Sequence, residues 1–74
     1  MAELREGYAV VDRVRREDTK AVVSAHDVST GDKLLLDWCA PCTLVKGEVI
    51  EFYAKPAAKP RHFTLRMYRV LDAD

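Results

Sequence analysis

The chain has 74 residues, with twelve basic and twelve acidic side chains, 49% apolar types and 32% charged types. That length holds one domain, near the lower limit at which a core alone supports folding, and the apolar share excludes a disordered tail. Zero formal net charge supplies no overall field for a polyanion, so any nucleic-acid site must be local. The mixture of Val10, Val11 and Val14 with Arg13, Arg15 and Arg16 predicts a first strand over 8–16, ended by the polar Glu17, Asp18 and Thr19. A second strand is expected over 20–26, and Asp27-Val28-Ser29-Thr30-Gly31-Asp32 then supplies the residues that a tight turn requires. Alternation over 33–38 puts Leu34, Leu36 and Trp38 on one face, read as core, and Lys33, Leu35 and Asp37 on the other. Leu44-Val45-Lys46-Gly47 reads as a short turn into a fourth strand over 48–55. A helix over 44–54 is the alternative there, but Gly47 and the run of Val, Ile, Phe and Tyr weigh against it. Pro56 and Pro60 bar regular pairing and separate this strand from a fifth over 62–70. The fifth strand is expected to bury Phe63, Leu65 and Met67 and to show Arg66 and Tyr68 on its polar face. Residues 1–6 and 72–74 are expected to be frayed ends of a single domain spanning 1–74.

The expected class is therefore all-β, a small five-stranded barrel. Its first strand over 10–16, the Asp27-Val28-Ser29-Thr30-Gly31 hairpin running into Trp38, and Leu44-Val45-Lys46-Gly47-Glu48-Val49-Ile50 together resemble the OB-fold of single-strand-binding proteins and replication protein A. In that family the last segment usually carries Asp where Glu48 stands here. OB-folds also often place a helix between strands three and four, whereas 39–46 leaves room for little more than one turn. An SH3-like barrel is the alternative. The resemblance implies a noncatalytic module whose groove for single-stranded nucleic acid crosses strands two and three, flanked by the loops after strands one and four. Such a groove needs cations for phosphates and flat rings for unpaired bases. The residues expected to supply them are Arg13, Arg15, Lys20, Lys33, Lys55, Arg61 and Arg66, with Tyr53 and Tyr68 as stacking rings. A plain solvated surface also accommodates these side chains, since a charged barrel exposes bases somewhere and tyrosines often close barrel rims.

Trp38-Cys39-Ala40-Pro41-Cys42 resembles the thioredoxin active-site string, whose thiols exchange with disulfides. A thioredoxin fold, however, needs a helix starting inside the motif and more chain than the 32 residues after Cys42. Cys39 and Cys42 would also serve as two zinc ligands, with His26 and His62 as distant partners, although neither histidine has finger-like spacing. As small residues in a proline-shaped turn, both thiols have a sufficient structural reading. No catalytic motif stands out, so neither an enzyme nor a cofactor is expected. The other readings are a protein-interaction adaptor built around Trp38, Leu35 and Tyr53, and dithiol or zinc chemistry at Cys39 and Cys42. No apolar run approaches the ~18 residues of a membrane span, and 1–6 lacks the apolar stretch of a signal peptide, which predicts a cytoplasmic location without a membrane partner.

Overall fold

The computed structural model describes residues 4–40 and 42–71. These form five strands and no helix: β1 (Arg5–Arg16), β2 (Ala21–Asp27), β3 (Lys33–Trp38), β4 (Val49–Pro56) and β5 (His62–Val70). The strands close into a barrel in the order β1-β2-β3-β5-β4, all antiparallel except for the β3–β5 pair. This is the expected five-stranded barrel, here fully closed, and its crossover from an up-and-down order is compatible with an OB-like fold. The segment 44–54 is turn and strand, not helix. β1 begins earlier than 8, because Arg5 and Glu6 pair with Ala54 and Tyr53 of β4. These two residues thus belong to β1, whereas 1–3 and 72–74 of the expected ends lie outside the described residues.

Alternation explains the core. Ala9 and Val11 from β1, Ala21, Val23 and Ala25 from β2, Leu34 and Leu36 from β3, Ile50, Phe52 and Ala54 from β4, and Leu65 from β5 all turn inward and are buried. Two β-bulges then reset the parity of their strands, since an extra unpaired residue exchanges the inward and outward faces beyond it. In β1 the pairing with β2 skips Asp12, so Val14 faces inward while Arg13 and Arg15 face out. In β5 the pairing with β4 skips Arg66, which reverses the expected assignment of the next two residues. Met67, expected in the core, is 57% exposed, whereas Tyr68 packs against the core and meets Trp38 edge-on, with ring centroids 5.0 Å apart. Simple alternation fails here because it assumes a ladder without interruption.

The end of the barrel where an OB helix was considered is closed by the β3–β4 connection. Leu44 is fully buried and Cys42 nearly so. The same β1 bulge puts Arg16 in step with Val14 at this end, where its guanidinium donates to the carbonyls of Cys42 at 3.0 Å and Leu44 at 2.6 Å. A cation therefore satisfies backbone acceptors that a helix would have satisfied itself. Glu48, in place of the family's Asp, accepts a hydrogen bond from the Val45 amide at 2.7 Å and closes the turn before β4.

At the other end, Asp27 organises the β2–β3 hairpin. Its carboxylate accepts from the amides of Ser29 at 2.7 Å and Thr30 at 3.2 Å and from Arg5 at 3.2 Å. Gly31, at φ +76°, completes the turn in a region that side-chain-bearing residues rarely adopt. Burial pushes the Asp27 carboxyl up, but the Ser29 amide, Arg5 and the Thr30 amide outweigh it and hold the group below its ordinary 3.8. A carboxyl lowered in the folded state stabilises above its unfolded value, and that stability is lost as pH falls through the folded value. Asp27→Asn is therefore expected to destabilise the barrel near neutral pH by about 1–3 kcal/mol. The difference between the two proteins should shrink as pH drops below about 4. Urea denaturation of both across pH 7 to 2.5 checks this, and a difference constant with pH would contradict it.

Candidate nucleic-acid interface

The outer face of β1, β2 and β3 forms a groove of about 710 Å³. Its floor is set by register: Arg13 lies opposite Ser24, Ser24 opposite Leu35, and Leu35 opposite His62 across the parallel β3–β5 pair. One wall is the β1–β2 turn with Glu17 and Lys20, and the other is the β4–β5 loop with Ala57, Ala58 and Lys59. That loop is tied to β3 through backbone, as the Leu35 amide donates to the Arg61 carbonyl at 3.1 Å. The groove continues past Leu35 into a second depression lined by His26, Lys33 and Arg61.

The structure brings together Arg13, Arg15, Lys20, Lys33 and Arg61 of the expected site, and adds Lys59. Arg15 and Lys20 share Glu17, at 3.0 and 3.7 Å, and hydrogen bonding to Arg15 followed by the charge of Lys20 holds this exposed carboxyl below its ordinary value. Arg13, Lys33, Lys59 and Arg61 form no ion pair among the described residues. Arg61 is also the one non-glycine residue at positive φ among the described residues, at +65°, a conformation that costs roughly 1 kcal/mol for an L side chain. The two histidines of the face each adjoin a carboxylate: His26 Nδ1 lies 2.9 Å from Asp12, and His62 Nδ1 lies 4.0 Å from Asp37.

The other expected residues lie elsewhere. Tyr53 and Lys55 project from the outer face of β4, Tyr53 beside Met67 and away from the groove, Lys55 opposite Thr64 at the groove's border, and Arg66 occupies the β5 bulge. Glu6 engages the Tyr53 hydroxyl and pushes that phenol up. Tyr68 is not on a polar face; burial, followed by the neighbouring Cys42, pushes its phenol up. The groove is thus lined by aliphatic, basic and acidic side chains, Glu17 and Asp37 among them, with Leu35 and Val22 in place of the expected tyrosines. The supposed adaptor patch is also divided, since Trp38 packs inward, Leu35 floors the groove and Tyr53 faces away.

Sequence reasoning placed Lys59 with Lys55 and Arg61 in the loop after strand four without assigning it to the site, and did not place Asp37 or His62 there. The missing signal was the parallel β3–β5 register, which no local pattern encodes.

The cysteine turn is a compact connector. Cys39 is exposed at the edge of the groove and Cys42 is buried, and the thiols are unbridged. No helix begins at this string, so the helix that activates a thioredoxin thiol is absent among the described residues. The described residues also contain no group of three or more His, Cys, Asp or Glu placed to hold a metal. Among the described residues no helix is long and apolar enough to cross a membrane.

No family model, curated protein or solved structure matches this chain.

The difference in burial predicts distinct thiol reactivity. A thiol-specific disulfide reagent should label Cys39 rapidly in the native protein and Cys42 only on unfolding, so a native titration ends near one thiol per chain. Equal rates for both would show that the β3–β4 connection opens freely.

Proposed function

We propose that this domain is a noncatalytic module that binds single-stranded nucleic acid along the outer groove of β1, β2 and β3. The observation that carries the reading is the convergence of four cations without ion-pair partners, Arg13, Lys33, Lys59 and Arg61, on one face of a chain with no net charge. Unpaired cations attract phosphates without first giving up a protein partner. A non-glycine residue in a left-handed conformation supports the same reading, because a glycine would relieve the backbone at Arg61 and remove the guanidinium from the groove. With no Tyr, Phe or Trp along the groove, base stacking contributes little, and affinity comes chiefly from phosphate neutralisation.

This reading predicts weak, salt-sensitive binding. Fluorescence anisotropy with a labelled twelve-nucleotide strand should give a dissociation constant that rises steeply between 20 and 200 mM salt. Replacing Arg13 and Lys59 by alanine should weaken binding at low salt and flatten the log–log salt slope by roughly 1.4, at about 0.7 per phosphate contact. Arg69→Ala, which removes a cation paired with Glu51 outside the groove, should change neither quantity appreciably. Binding absent at 20 mM salt, or insensitive to salt, overturns the proposal.

A protein-interaction role is the second reading, favoured by Tyr8, Tyr53 and Met67, which are 47%, 38% and 57% exposed on the outer faces of β1, β4 and β5.

A further inference from the structure

The groove contains a carboxylate that phosphate binding alone does not explain. Asp37 lies on its floor, in register with Val22 on one side and Thr64 on the other, with Leu35 two residues before it on the same face. Its side chain is 39% exposed, and its nearest ion-pairing group, His62 Nδ1, is 4.0 Å away, beyond hydrogen-bond distance. Among the described residues the Asp37 carboxylate accepts no hydrogen bond. Asp12, by contrast, is occupied by His26, and Glu17 by Arg15 and Lys20. A free carboxylate repels a phosphate, so in a groove that tracks a polyanion it must face the part of the nucleotide that donates hydrogen bonds. In a DNA strand that part is the base edge, and RNA adds the ribose 2′-hydroxyl.

Resting on the proposed nucleic-acid role, we infer that Asp37 and His62 form a base-reading subsite that prefers guanine. Guanine presents two parallel donors, N1–H and the exocyclic amino group, which suit the two oxygens of one carboxylate. Adenine and cytosine each offer an amino group beside a ring acceptor, and thymine or uracil offers one N–H between two carbonyls that a carboxylate repels. The third group on guanine's edge, the O6 carbonyl, accepts a hydrogen bond that an imidazole N–H beside Asp37 can supply. Leu35 and Val22 beneath, and Ala57 and Ala58 opposite, give the base an apolar slot without a large side chain to fill it. The cations Arg13 and Lys59 keep the phosphates at the groove margins while the base turns inward.

The test compares labelled T12 with T5GT6 by anisotropy at low salt, using the intact chain. A single guanine should tighten binding about tenfold, in the range of one good base-edge pair. Inosine at the same position, which lacks the amino group, should lose most of that gain, whereas 7-deazaguanine, whose pairing edge is intact, should keep it. In Asp37→Asn the preference should fall to within about twofold, with T12 bound as well as or better than by the wild type. Equal wild-type affinity for T12 and T5GT6, a gain retained with inosine, or a preference that survives in Asp37→Asn overturns this inference and leaves the groove a phosphate binder. Binding of neither strand overturns the nucleic-acid reading itself.

Discussion

The short parallel pairing of β3 with β5 is the constraint from which the rest of the structure follows. It spans only Leu35 to Asp37 against His62 to Thr64, yet it converts an antiparallel sheet with two open edges into a closed barrel. A chain of this size has little core to spend, and closure removes the exposed edges. The same pairing draws the β4–β5 loop over the face of β3. Lys59 and Arg61 thereby come to face Arg13 and Lys33 although they are far apart in sequence. Fold and groove thus share one cause.

Closure alone would leave the barrel ends open, and two arginines finish them by different means. Arg16 binds carbonyls of the connection that carries Leu44 into the core, so that a short segment without a helix seals this end. Arg5 bridges the N-terminal part of β1 to Asp27 and Asp32 and lies 5.7 Å from the Phe63 ring centre. Both cations are absorbed by structure. That separation matters for function, because a count of bases in the sequence does not distinguish cations that hold the barrel from those free to meet a ligand.

The sequence made the strands legible because their hydrophobic residues alternate and their turns carry Gly, Pro, Asp and Ser. The bounds of β3 and β5 follow from alternation and punctuation alone, as does the core role of Leu34, Leu36 and Leu65. What it concealed has two physical sources. The bulges at Asp12 and Arg66 depend on cross-strand pairing, so no local pattern reveals that Arg13 and Arg15 face outward, or that Met67 and Tyr68 exchange places. Long-range register was equally hidden. It placed Tyr53 away from the groove and brought Asp37 beside His62, a polar pair on the groove floor.

The central claim, that ligand binds across β1, β2 and β3, is tested most directly by mapping backbone amide shifts of the isotope-labelled protein during titration with a twelve-nucleotide single strand. The account predicts that the perturbed amides cluster at Arg13, Ser24, Leu35, Lys59 and His62, with those of Tyr53, Met67 and Arg69 unmoved. Shifts concentrated on β4 and the far half of β5, or no shifts at low salt, would contradict it.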